Sequence, residues 1–157
     1  MRGRMTFWLM KSEPDTYSID DLAKQPKKID YWDGIRNYQA RNFMRDEMKK
    51  GDLAFFYHSN CDEPGVVGIV EIVKEAYPDD TAFDPESKYY DPKSTLDNPR
   101  WIRVDVKLKE TFTGTITLKE IKANPALKEM RLVQKGNRLS IMPVAAHEWK
   151  TILAMKD

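Results

Sequence analysis

The sequence predicts an α+β domain in which a small, mostly antiparallel sheet curls into a β-barrel flanked by short helices. Three observations point there. Strand-like runs dominate the middle of the chain, helix-capping signals flank them, and no regular βαβ alternation appears. A chain of 157 residues with 41% hydrophobic and 32% charged residues has the size and composition of one folded unit, expected to span 1–157. No internal repeat, low-complexity tract or Gly/Ser linker divides it.

Taken in order, Thr6-Phe7-Trp8-Leu9-Met10 is a short apolar run that stops at Lys11-Ser12-Glu13-Pro14, as a strand stops at a turn. Ser18 followed three positions later by Asp21 marks a capping-box start for a short helix through Leu22, ended by Pro26. From Asn37 to Lys50, Ala40, Phe43, Met44 and Met48 recur at helical spacing, with Arg41, Arg45 and Lys49 outside and Gly51 closing the helix. Leu53 to His58 and Val66 to Val73 read as a hairpin across a Cys61 to Gly65 turn. The clearest strand runs from Trp101 to Leu108, where apolar and charged residues alternate with period two. Thr117 with Glu120 makes a second capping box, and Asn124-Pro125 opens another short helix. Leu139 to Val144 then forms a last strand, and Glu148 to Met155 a helix with Trp149, Ile152 and Leu153 on one face.

Composition narrows the function classes. No apolar run approaches the roughly 20 residues of a membrane-spanning helix, and no signal segment is visible, so a cytoplasmic, membrane-free protein is expected. The lone Cys61 cannot form an intramolecular disulfide and has no second cysteine at zinc-ligand spacing. A net charge of +1 means that any contact with phosphate must come from a local cluster of cations. His58 has no second histidine before His147, so neither a metal site nor a Ser-His-Asp set assembles, and a hydrogen-bonded structural role is favoured. There is no Gly-rich phosphate loop and no nucleophile signature; we expect no cofactor and no catalytic residue.

Candidate binding residues gather where strands end or helices begin: Lys11 and Ser12, then Trp32, Asp33 and Gly34, then Arg36, Asn37, Tyr38 and Arg41, and Tyr57, His58, Ser59 and Asn60. Trp32 offers a flat aromatic face, Asp33 a hydrogen-bonding carboxylate and Gly34 room for close approach, which suits a planar base; the alternative is a core tryptophan before a turn. Arg36, Arg41 and Arg45 either contact phosphates or form a solvated helix face. Phe83, Tyr89 and Tyr90 lie with Lys88 and Lys93 in a proline-punctuated loop that suits stacked bases or simply packs on itself. Arg131, Lys135 and Arg138 surround a Gly136-Asn137 turn.

Several of these strings are distinctive: Trp8-Leu9-Met10-Lys11-Ser12-Glu13-Pro14, Trp32-Asp33-Gly34-Ile35-Arg36-Asn37-Tyr38, Phe56-Tyr57-His58-Ser59-Asn60 and Asn137-Arg138-Leu139-Ser140-Ile141-Met142-Pro143-Val144. In type and order, over nearly the whole chain, they resemble the EVE domain family. That resemblance implies a PUA-like fold, similar to the YTH domains that hold a methylated base in an aromatic cage, and binding of modified cytosines in DNA. Lys11-Ser12 then stand where YTH domains begin their pocket and Trp32 where they place a cage tryptophan. Tyr57, Phe83, Tyr89 and Tyr90 are the candidates for the opposite wall. The expectation is a non-catalytic, monomeric nucleic-acid module that reads a modified base of DNA or RNA. The alternative is a small-molecule or nucleotide-binding protein, possibly an enzyme, with Asp33, Glu13 and His58 as its titratable groups.

Overall fold

The computed structural model describes residues 6–156. Six strands, β1 (Phe7–Ser12), β2 (Ile29–Trp32), β3 (Leu53–His58), β4 (Gly65–Pro78), β5 (Ile102–Thr117) and β6 (Ile141–Val144), form one sheet in the order β2-β5-β4-β3-β1-β6. Neighbours pair antiparallel except β1 with β3, which are parallel. Four short helices complete the fold: α1 (Ile19–Ala23), α2 (Tyr38–Asn42), α3 (Leu118–Ala123) and α4 (Ala146–Met155).

The sheet does not close into the expected barrel: β2 and β6 are its two edges and do not pair with each other. The two edge strands are only four residues each, and the space between them is lined by charged groups such as Lys11, Asp30, Asp33 and Arg138, so no ladder bridges them. Successive residues of β1 and β3 feed two separate cores. Trp8, Met10 and Phe56 pack on one face with Ile19 and Leu22 of α1 and with Trp32; Leu9, Phe55 and Tyr57 pack on the other with Ile121 of α3 and Ile152 of α4. Helices therefore cover both faces. On the second face Trp149 of α4 stacks between Phe7 (4.5 Å between ring centroids) and Phe55 (3.9 Å).

β4 and β5 are 14 and 16 residues long, far beyond the usual five or six; β4 extends the expected strand at both ends, and β5 starts one residue after Trp101 and runs nine beyond Leu108. Register shifts along their pairing bend this long ribbon, so its residues serve both cores. Gly68 sits where α1 presses on the ribbon; a Cβ there would stand 2.3 Å from the Glu110 carbonyl oxygen and 2.4 Å from Ile19 Cδ1.

Both predicted capping boxes form: Ser18 Oγ accepts from Asp21 N while Asp21 accepts from Ser18 N, and Thr117 and Glu120 do the same. The Asn124-Pro125 start yields a single 3₁₀ turn instead of an α-helix. The helix expected over 37–50 is shorter. After α2 it widens into a π turn over Phe43–Glu47, where Met48 N donates to Phe43 O, and Gly51 lies beyond its end with its N–H on Ile72 O. β2 is a strand over residues to which the sequence pattern assigns no element; four residues are too few to show a period.

One buried carboxylate anchors β1 to the start of β3. Asp52 is 1% exposed and accepts from the Trp8 indole at 3.0 Å and from Lys49 N at 2.9 Å. Asp52→Ala leaves the buried Trp8 indole N–H without its acceptor and also frees Lys49 N and Thr6 N. It is expected to lower the unfolding free energy by about 3 kcal/mol with an unchanged m-value, measured by guanidinium chloride denaturation.

Candidate functional site

The open seam between the two sheet edges is a cavity of about 610 Å³, within the size range of small-ligand pockets. On one side stand Asp30, Tyr31 and Trp32 of β2, continued by Asp33 and Gly34; on the other stand Lys11 and Ser12 at the end of β1, with Arg138 and Ser140 leading into β6. Val106 of β5 and Leu22 of α1 contribute apolar surface, and Lys88 and Tyr89 reach in from the long loop before β5. Of the residues predicted from sequence, Lys11, Ser12, Trp32, Asp33, Gly34, Ser59, Tyr89 and Arg138 all line this cavity.

Trp32 belongs to the core and to the cavity wall at once. It is only 8% exposed, meets Phe56 edge-on at 5.3 Å, and turns its remaining surface to the cavity. Asp33 is half-buried, and burial, followed by the nearby charge of Asp79, raises its carboxyl pKa above the ordinary range. Burial likewise lowers the Lys11 pKa; its Nζ lies 5.6 Å from the Tyr57 ring centroid. Neither Lys11 nor the exposed Arg138 forms an ion pair among the described residues. The cavity thus offers aromatic surface from Trp32, Tyr31 and Tyr89, the carboxylates of Glu13, Asp30 and the half-buried Asp33, and three cations, Lys11, Lys88 and Arg138, without an ion pair among the described residues.

Gly34 has a structural reason for being glycine. Its φ is +75°, its N–H donates to Asp79 Oδ2 at 3.0 Å, and a Cβ would stand 2.6 Å from the Tyr89 ring. Arg36 lies behind this contact. Its guanidinium spends all five N–H donors on the Tyr89, Ile35, Asp79 and Thr81 oxygens. It is the tie that holds Tyr89 against Gly34. Asp79, fully buried, completes the knot; burial alone would raise its pKa, but hydrogen bonds from Thr81, Gly34 and Arg36 hold it below the usual carboxylate range.

The remaining predicted residues lie elsewhere. Asn37 caps α2 by accepting from Ala40 N. Tyr38 and Arg41 belong to an aromatic surface around Trp101. Tyr57 is 2% exposed in the second core, because alternation along β3 turns it away from Phe56 and His58; burial pushes its pKa up to about 12. Asn60 bonds Glu13 at 2.6 Å, and Phe83 and Tyr90 stand off the cavity wall. His58 Nε2 accepts from Ile19 N at 3.1 Å, the structural role expected of it. Sequence reasoning missed Tyr17, Asp30 and Tyr31. Tyr17 donates to Asp30 Oδ2 at 2.6 Å, and the phenol pKa is raised by burial and by that carboxylate. Such a pair, 13 residues apart, becomes visible only once β2 is known to be a strand.

A sequence profile of the EVE domain matches residues 6–155. Human thymocyte nuclear protein 1 is 44% identical over 174 aligned positions, covering all of this chain and 76% of its own length. A crystal structure from Pseudomonas syringae superposes with a TM-score of 0.90 at 51% identity, covering 94% of this chain and 97% of that one. The crystal structure of the human THYN1 protein in complex with DNA containing 5-methylcytosine gives 0.90 at 46% identity, covering 95% and 96%.

Two outcomes test the geometry of the site. Asp79→Ala, by uncoupling Gly34, Arg36 and Thr81, should cost about 3 kcal/mol and raise hydrogen exchange through residues 79–91. The second concerns pH. Burial lowers the His58 pKa below its ordinary 6.5, so the unfolded chain takes up the proton first. His58 therefore contributes stability above about pH 6.5 that is lost as pH falls from there through its folded pKa. Wild-type protein should lose stability between pH 7.5 and 5.5 more steeply than His58→Gln in chemical denaturation.

Proposed function

The chain belongs to the EVE domain family, and from that premise we propose that it is a non-catalytic reader of modified DNA in which a cytosine carrying a 5-substituent swings out of the helix into the seam cavity. The observation that carries this reading is the composition of the cavity: the Trp32 and Tyr89 rings, the half-buried Asp33 carboxylate, and the cations of Lys11, Lys88 and Arg138, which make no ion pair among the described residues, in a space of about 610 Å³. The complex of the human relative with DNA containing 5-methylcytosine supports the ligand class.

In this reading the base stacks against Trp32, an interaction of roughly 1–3 kcal/mol. Asp33 faces the hydrogen-bonding edge. Its raised pKa suits a carboxyl that shares a proton with, or accepts from, a neutral base. Tyr89, held by Arg36, forms the second wall, and Lys11 and Arg138 meet the phosphates on either side. Burial of one methyl group contributes about 0.8 kcal/mol, so preference for the methylated base over plain cytosine should be only several-fold.

The test is binding of duplexes containing cytosine, 5-methylcytosine or 5-hydroxymethylcytosine to wild type, Asp33→Asn and Arg138→Ala. Trp32 is a poor first target, since truncating a core tryptophan costs about 3–5 kcal/mol of stability on its own. Asp33→Asn should change the ratio of affinities between modified and plain duplex, whereas Arg138→Ala should weaken both alike. Equal binding of all duplexes by wild type would overturn the reading.

A further inference from the structure

Beyond the cavity, a run of aromatic rings and cations continues over the surface from its wall. The Arg36 guanidinium lies 5.4 Å from the centroid of Tyr89 and 5.3 Å from that of Trp101. Trp101, 5% exposed, stacks on Tyr38 with centroids 4.8 Å apart, and Tyr38 is 49% exposed. Arg41 sits 4.7 Å from the Tyr38 centroid and 5.9 Å from that of Trp101. Arg100 approaches Tyr38 from the other end, at 3.4 Å from its hydroxyl. A single guanidinium, that of Arg36, separates the cavity wall from this surface.

We propose that Arg41 and Arg100, held by the stacked Tyr38 and Trp101, form a second nucleic-acid subsite that grips the phosphodiester backbone of the strand whose base enters the cavity. The inference rests on the modified-base reading of the cavity for its ligand, and on its own geometry for the rest.

Arg36 and Arg41 carry cations of the same type, but the structure gives them different tasks. Arg36 has no donor left, whereas of five N–H groups Arg41 uses three, on Asn42 and on the Arg100 carbonyl, and Arg100 uses one. Neither Arg41 nor Arg100 makes an ion pair among the described residues. The carboxylate beside Arg100 is Asp91, and its oxygens are already taken by the Trp101 indole at 2.7 Å and by Lys93 N at 2.9 Å. The platform is also rigid: Arg100 N donates to Ser94 Oγ, and the Trp101 carbonyl accepts from Asp79 N. Two preorganised guanidiniums with spare forked donors suit phosphate oxygens and carry no base information. In a chain of net charge +1, such a local pair is what backbone affinity requires.

The experiment measures duplex affinity across a salt series for wild type, Arg100→Gln and the double variant Arg41→Gln/Arg100→Gln, with plain and 5-methylcytosine duplexes. Lys122→Gln on α3, over the opposite face of the sheet, is the control. Arg100→Gln removes the weak contact to Tyr38 and the charge beside Asp91 but leaves the Asp91–Trp101 hydrogen bond in place, so its thermal midpoint should stay close to that of wild type. Its slope of log affinity against log salt should shrink by about 0.9, and that of the double variant by about 1.8. Both duplexes should weaken by the same factor, leaving the methylated-to-plain ratio untouched. An unchanged slope in Arg100→Gln, a slope change as large in Lys122→Gln, or no duplex binding by wild type overturns the subsite. If slopes shrink as expected while wild type shows no preference for the methylated duplex, the backbone subsite stands and the base-reading cavity falls.

Discussion

One fully buried carboxylate, Asp79, constrains the whole binding side of the molecule. Its oxygens accept from Gly34 N, Arg36 and Thr81, and so join the segment after β2 to the start of the long loop before β5. A carboxylate held at 0% exposure is tolerable only when hydrogen-bonded charge surrounds it. Arg36 answers that need and in doing so fixes the Tyr89 carbonyl. The position of Tyr89, the φ of Gly34 and the placement of Trp101 all descend from it.

The second determinant is the failure of the sheet to close. Alternate residues of β1 and β3 feed cores on opposite faces, the edges β2 and β6 do not pair, and β2 and the segment leading into β6 line the same cavity. Side chains that barrel closure would have committed to a single interior instead line a solvent-reachable cleft. Trp32 is the hinge of this arrangement, belonging to the first core and to the cavity wall at once.

Much of this was legible in the sequence. The capping boxes at Ser18 and Thr117, the alternation from Ile102 to Leu108 and the amphipathic α4 were all read correctly because each depends on contacts within a few residues. About half of the candidate site residues meet at one cavity, chiefly those at strand ends. The rest were drawn from the same strings but diverge in space. Arg36 and Arg41 lie on the same stretch of chain, yet one is consumed by an internal knot and the other faces outward. Tyr57 and Ser59 are two residues apart, yet Tyr57 belongs to a core and Ser59, beyond the strand end, to the cavity. Nothing local reveals β2, Tyr17 paired with Asp30, or the openness of the sheet, since each is settled by partners that are distant in sequence.

An open sheet leaves two rows of backbone groups that could template pairing with another chain. At the seam each edge strand is only four residues long, and Pro143, facing Trp8 in the middle of β6, has no N–H to offer outward. A sheet left open along a seam is thus bordered there by strands too short and too interrupted to template pairing. The same brevity that hid β2 from the sequence guards the folded chain against aggregation.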